Sequence, residues 1–135
     1  MKNRVRAAVV VAMVAASVGV APAAFAASND NVCDNLEVCA FKDVNYAGGL
    51  ADMPLNNASF LNDDFSSGGS AHDAVSSGFN AGRVVEYWAD INYAGPYFIL
   101  ASNQYDSFWS TNQPNASSAS YNFNDKVDSS TIYIP

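Results

Sequence analysis

The hydrophobic positions of the chain fall in short segments that turn-forming residues separate. Aliphatic and aromatic side chains crowd together at 83–88, 96–100 and 131–134, and each segment has the composition of a β-strand. Clusters of Gly, Ser, Asn and Asp, such as 66–70, lie between such segments. No stretch after the N-terminal leader has the apolar periodicity of an amphipathic helix. The pattern predicts an all-β sandwich or barrel.

Two segments of the chain occur twice, which indicates an internal duplication. The segment 43–48 (DVNYAG) recurs as 90–95 (DINYAG), and 72–77 (HDAVSS) recurs more loosely as 124–129 (NDKVDS). Two copies are too few for a solenoid, which needs several stacked units to bury its core. We therefore expect a symmetric pair of units that share one core.

The first residues have the pattern of a cleaved export signal. A basic opening precedes an apolar run over 7–20, and small residues surround Pro22 before Ala26. A membrane anchor, the alternative, needs about 20 unbroken apolar residues. We predict a signal peptide at 1–26, with cleavage after Ala26 or, alternatively, after Ala24. The mature chain, 27–135, is then a single secreted, extracellular domain.

Removal of this leader makes the chain strongly acidic. Three of the six basic residues remain, against 13 carboxylates, for a net charge of 3 − 13 = −10. Such a charge repels nucleic acid and anionic membranes and favours cations as partners. We expect a monomer.

The two cysteines, Cys33 and Cys39, are close in sequence near the mature N-terminus. In an oxidising exterior such a pair predicts one disulfide. The alternatives are two free thiols or half a metal site, and the only further soft ligand for a metal site is His72. Closing so short a loop contributes about 2–3 kcal/mol by the chain-entropy estimate.

The sequence lacks a recognisable catalytic constellation. His72 is the only histidine, so any nucleophile–histidine arrangement would have to include it. No spacing singles out a pair of carboxylates for glycosidase chemistry. The chain is therefore predicted not to be an enzyme.

Each repeat carries an aromatic residue, a second aromatic five positions later and then a glycine after one more residue. The sets are Phe41, Tyr46 and Gly48 in the first repeat and Trp88, Tyr93 and Gly95 in the second. The intervening Asp-x-Asn bends the chain back, the aromatics are expected to stack, and glycine takes a conformation closed to a Cβ. Two ordinary hairpins are the alternative, but they do not explain a spacing that occurs twice.

This corner pattern resembles the βγ-crystallin Greek-key superfamily, although Trp88 departs from its Tyr/Phe. The resemblance implies a βγ-crystallin-type sandwich of two four-stranded Greek-key motifs in one domain, with repeat one at about 33–80 and repeat two at about 81–135. The Cys33-x5-Cys39 spacing is similar to that of secreted bacterial members grouped as peptidase inhibitor family I36.

The second repeated segment resembles the superfamily's six-residue calcium motif, in which the two copies exchange ligands between two sites. The resemblance implies second-position ligands at Asp73 and Asp125 and fifth-position ligands at Ser76 and Asp128. It also implies that the sixth-position residues brace the corner hairpins. Those residues are Ser77 and Ser129.

Two positions depart from the calcium motif. His72 stands at the first position, where an imidazole is a poor calcium ligand, and Asp128 stands at the fifth in place of Ser/Thr. We expect the site that retains Asp128 to be better preserved than the site that depends on His72. The alternative is that both segments are solvated turns.

Three functions follow from this reading. The first is a secreted calcium-binding protein with calcium as its cofactor. The second, implied by the I36 resemblance, is an inhibitor of secreted peptidases, metallopeptidases above all. The third is a killer-toxin-like antimicrobial, although a strong negative charge argues against direct membrane attack.

Overall fold

The computed structural model describes residues 28–134, which form two antiparallel sheets. The predicted signal peptide lies outside the described residues. The strands are β1 Glu37–Asp43, β2 Ala47–Pro54, β3 Ser77–Asn80, β4 Val85–Asp90, β5 Ala94–Leu100, β6 Tyr105–Asp106 and β7 Ser129–Ile132. The first sheet has the strand order β2-β1-β3-β6, and the second has the order β5-β4-β7.

Alternating burial along the strands explains why these segments pair. In β4, Val85, Tyr87 and Ala89 are buried, whereas Glu86 and Trp88 are partly exposed. Successive side chains of a strand point to opposite faces, so one face of the sheet enters the core and the other meets solvent. The pairs β1–β2 and β4–β5 each shift register close to the corner turn that joins them.

The two repeats are intertwined rather than side by side. β6 belongs to repeat two but pairs with β3 of the first sheet, through Gly78 and Asp106. Reciprocally, Asn57 of repeat one forms a β-bridge with Ser130 of β7. The all-β Greek-key prediction is confirmed. In the second sheet, however, the place of a fourth strand beside β7 is taken by this single bridge, and no full strand forms there within the described residues.

Aromatic rings fill the space between the sheets. Tyr87 of β4 and Phe98 of β5 stack at a centroid distance of 5.1 Å, and Trp109 lies 4.8 Å from Tyr87. Phe123 approaches Phe98 at 4.8 Å. Trp109 and Phe123 come from the long β6–β7 connection, which is therefore anchored in the core. A side chain at Gly78 would collide with the Trp109 ring.

Within residues 28–134 no helix has the length and apolar character needed to span a membrane. The helical elements of this part of the chain are two short 3-10 turns, Val44–Tyr46 and Phe60–Asn62.

Candidate functional site

The first corner is closed by a buried serine hydroxyl. Ser77 at the start of β3 donates its Oγ–H to the Asp43 carbonyl at 2.7 Å and accepts the Tyr46 N–H at 3.1 Å. Ser77 is fully buried. The sharp turn leaves the Asp43 carbonyl and the Tyr46 N–H without backbone partners, and this one hydroxyl pairs with both. Such pairing is expected, because an unpaired polar group inside a protein is costly.

The second corner repeats the same geometry. Ser129 donates its Oγ–H to the Asp90 carbonyl at 2.7 Å and accepts the Tyr93 N–H at 3.1 Å. The sixth-position serines of both copies therefore hold the turns of both repeats, as the crystallin resemblance implies.

The corner glycines have left-handed backbone conformations. Gly48 has φ = 79° and Gly95 has φ = 77°. A Cβ at either position would also meet the carboxylate of the aspartate that begins the turn, Asp43 or Asp90. Glycine is thus required by both conformation and space.

The corner aromatics are less buried than their pattern suggested. The ring of Phe41 meets that of Tyr46 edge-on, at a centroid distance of 5.6 Å and an interplanar angle of 76°, so this pair does not stack. Trp88 packs against Tyr97 of β5 at 4.6 Å. Tyr46 and Tyr93 are 37% and 38% exposed, because each tops a turn at the surface. Neither tyrosine is therefore a core residue.

The repeated segments 72–77 and 124–129 exchange contacts. Asp73, second in the first copy, donates its backbone N–H to Asp128 Oδ1 at 2.8 Å. Ser76, fifth in the first copy, donates its hydroxyl to Asp125 Oδ1 at 2.9 Å. Each contact joins the second position of one copy to the fifth position of the other. This is the exchange that ligand sharing between two sites requires.

His72 lies in the first of these contacts. Its Nδ1 is 2.7 Å from Asp128 Oδ1, and its Nε2 is 3.6 Å from Asp73 Oδ2. His72, Asp73 and Asp128 form the His72 cluster, whose potential metal-ligating atoms all lie within 4.8 Å of one another. The imidazole occupies space beside the carboxylates that a calcium ion would need, so this donor set fits calcium poorly.

This geometry corrects the comparison between the two motif sites. The sequence suggested that Asp128 and His72 belong to different sites, with the Asp128 site better preserved. The exchange between copies instead brings first-position His72 together with fifth-position Asp128.

The second contact between the copies, from Ser76 to Asp125, belongs to a group of oxygen-bearing side chains. We name this group the Asp125 cluster, and it consists of Ser76, Asn124 and Asp125. Asn124 donates its side-chain N–H to Asp125 Oδ2 at 2.8 Å, and the Asp125 N–H is held by the Val75 carbonyl at 3.0 Å. Carboxylate, hydroxyl and amide oxygens are ligands that calcium accepts, so these residues fit the ion. Asn124 was not among the predicted ligands, although it holds the motif's first position.

Burial shapes the electrostatics of the His72 cluster. Asp128 is 5% exposed, and this desolvation raises the pKa of its carboxyl above the ordinary value. The nearby Asp73 charge raises this pKa further, while the Asp73 N–H and the His72 imidazole lower it. A cation beside Asp128 would stabilise the charged form that burial disfavours.

The predicted disulfide is present at the N-terminal side of the first sheet. Cys33 is bonded to Cys39 of β1, with 5.7 Å between the two Cα atoms. The bond ties the segment before β1 to a buried strand.

Comparison with known proteins identifies the family and the fold of this chain. Residues 26–100 match the model of peptidase inhibitor family I36, a match that spans more than half of the chain. The chain belongs to this family. No curated protein matches it.

Solved structures similar to this I36 family member are βγ-crystallins. A βγ-crystallin from Ciona intestinalis has a TM-score of 0.52 at 15% identity, over 72% of this chain and 99% of that one. A βγ-crystallin from an archaeon has a TM-score of 0.53 at 21% identity, over 74% and 100%. A structure that concerns the evolution of the eye lens βγ-crystallin domain fold has a TM-score of 0.57 at 23% identity, over 77% and 94%. These likenesses establish the fold.

Peptidase inhibitors of family I36 and proteins of the crystallin fold are both non-enzymatic classes of protein. A disulfide-bonded member of an inhibitor family fits an extracellular setting.

Proposed function

We propose that this I36 family member is an exported, non-enzymatic inhibitor of extracellular peptidases, metallopeptidases first among them. The observation that carries the proposal is the family match over residues 26–100. This match begins at the predicted cleavage site and includes the disulfide and both corner turns. The leader pattern and the disulfide support export to an oxidising compartment.

Inhibition is tested with the oxidised protein secreted from an expression host. Residual activity of thermolysin, a secreted metallopeptidase, is measured against increasing protein, with subtilisin and trypsin in parallel. The expected result is a stoichiometric fall in thermolysin activity, while the protein itself stays intact on a denaturing gel. Unchanged activity of all three peptidases would refute the proposal.

A second function, calcium binding, is proposed from the Asp125 cluster. Two observations support it: the ligand-type residues of the two copies meet, and each side chain of this cluster carries an oxygen that calcium accepts. At a predicted net charge of −10, a bound divalent cation would also reduce self-repulsion of the domain.

Calorimetric titration with calcium tests this second function, with magnesium as the comparison. Heat that saturates near one calcium per chain and is absent with magnesium is the expected result. Equal responses to both ions would indicate screening of the acidic surface only. The monomeric state and the lack of nucleic-acid and membrane partners stay predictions.

A further inference from the structure

The segment 28–36, which we name the arm, precedes β1 and has no counterpart in the duplicated unit. Repeat two reaches its first strand, β4, directly from β3 through the short connection 81–84. The arm lies entirely within the residues that match the I36 family model. The arm is therefore an addition to the Greek-key pair, and the family match includes this addition.

One buried carboxylate fixes the first half of the arm. Asp52 of β2 is 1% exposed, and its two oxygens accept the N–H groups of Asp30 at 2.8 Å and Asn31 at 2.9 Å. The Asp52 carbonyl accepts the Asn29 N–H at 3.0 Å. Three successive backbone groups thus bond to a single strand residue, and bonds to a carboxylate are stronger than neutral ones.

A second set of contacts fixes the other half. The Asp34 N–H donates to the carboxylate of buried Glu37 at 2.8 Å, and the Leu36 N–H donates to the Ala81 carbonyl at 2.9 Å. The disulfide from Cys33 adds a covalent link to β1. Leu36 also has φ = 71°, a conformation that a leucine adopts only where its surroundings impose it.

Between these two anchored halves, an aliphatic side chain points away from the core. Val32 is 53% exposed, and its N–H donates to the Asp30 side chain at 2.8 Å. The arm is therefore an irregular, outward segment with a fixed backbone and an apolar side chain at its centre.

We propose that the arm is the element that enters the peptidase, with its backbone in the substrate cleft and Val32 in a pocket that takes aliphatic side chains. This inference rests on the proposed inhibitory function. A segment already held in one conformation loses little conformational entropy on binding, which favours affinity. If the peptidase cuts the arm, the anchors on both sides of the cut hold the two new ends in place, which opposes their release from the cleft.

Other exposed aliphatic residues of the matched region are weaker candidates. Val44 and Ile91 occupy equivalent positions in the two corner turns, so they belong to the duplicated fold. Leu61 lies on a 3-10 turn that no disulfide holds. Only in the arm do an exposed aliphatic residue, a covalent link and buried carboxylate anchors coincide within the described residues.

The test measures thermolysin inhibition by secreted Val32→Asp and Val32→Leu variants, with Ile91→Asp as the matched control. Each replaced side chain is exposed, so folding should survive, and circular dichroism checks this. We expect Val32→Asp to raise the inhibition constant at least about 100-fold, while Val32→Leu and Ile91→Asp change it less than about fivefold. Full inhibition by Val32→Asp would overturn the arm assignment while leaving the inhibitory function intact. A parent protein that inhibits none of the three peptidases refutes that function, and the arm assignment falls with it.

A second measurement addresses the fixed backbone without relying on inhibition. Mass spectrometry follows cleavage next to Val32 by thermolysin, in the oxidised protein and in a Cys33→Ser/Cys39→Ser variant. We expect the oxidised arm to be cut at least about tenfold more slowly. Equal cleavage rates would overturn the claim that the anchors hold the arm.

Discussion

His72 Nδ1 lies 2.7 Å from Asp128 Oδ1, so a residue of the first repeat partners a buried carboxylate of the second. The contact arises because the two motif copies exchange residues, as the Asp73–Asp128 and Ser76–Asp125 hydrogen bonds also do. It makes the two clusters chemically unequal. The His72 cluster has two carboxylates and an imidazole, whereas the ligand atoms that the Asp125 cluster can offer calcium are all oxygens.

The first prediction is that calcium binds at the Asp125 cluster. In a scanning calorimeter, millimolar calcium should raise the melting temperature of the protein. A ligand at 100 times its dissociation constant adds about 2.7 kcal/mol to the free energy of unfolding. At about 4 °C per kcal/mol for a domain of this size, the shift is roughly 10 °C.

Asp125→Ala should remove most of this shift, because it deletes the only carboxylate of that cluster. Asp64→Asn, which removes an exposed charge outside both motif copies, is the matched control and should keep the shift. Loss of the shift in the control as well would mean that calcium acts through net charge.

The second prediction concerns the residue that distinguishes the clusters. His72→Asn replaces the imidazole beside Asp128 with an oxygen donor and restores the first-position residue type of the motif. Calorimetric titration should then detect a second calcium per chain. His72→Ala clears the same space without supplying a ligand, so it should give weaker binding at that site than His72→Asn. Stoichiometry that stays at one in both variants would show that the imidazole is not what limits this site.

The sequence was sufficient to predict the Greek-key pair, because the corner spacing depends on local requirements that occur twice. Gly48 and Gly95 show this, since each needs a left-handed backbone beside an aspartate. The His72–Asp128 contact was missed because the motif alone does not say which positions of the two copies meet.

Asp52 was missed for a different reason. Its partners Asp30 and Asn31 lie far away in sequence, and an isolated aspartate in a strand carries no pattern. Only the packing of the arm against β2 brings these groups together.

The third prediction tests the equivalence of the two corners. Ser77→Ala and Ser129→Ala each remove a buried hydroxyl and leave a carbonyl and an N–H unpaired. Each should lower the free energy of unfolding by about 1–3 kcal/mol in urea titrations. Because the hydrogen-bond lengths match between repeats, the two losses should agree within about 1 kcal/mol. Ser120→Ala, at an exposed position, is the control and should have little effect; a loss confined to one corner would show that the repeats are not equivalent.

The last prediction concerns pH. Burial is the largest cause of a raised carboxyl pKa at Glu37, Asp63, Glu86, Asp106 and Asp128. When the folded pKa exceeds the unfolded one, the folded protein binds more protons in the interval between them. Stability therefore falls as pH rises through that interval, from near the ordinary aspartate value of 3.8 to the raised folded value.

In calcium-free buffer the melting temperature should consequently be higher at about pH 4 than at pH 7.5, and the slope should flatten above the raised pKa values. Asp128→Asn removes one contributor and should reduce the difference. The Asp64→Asn variant, at an exposed position, should keep it. In His72→Asn, saturating calcium should also reduce the difference, because an ion beside Asp128 stabilises the carboxylate that burial disfavours. A melting temperature that rises between about pH 4 and pH 7.5 would contradict this account, since it requires titrating groups whose pKa is lowered by folding.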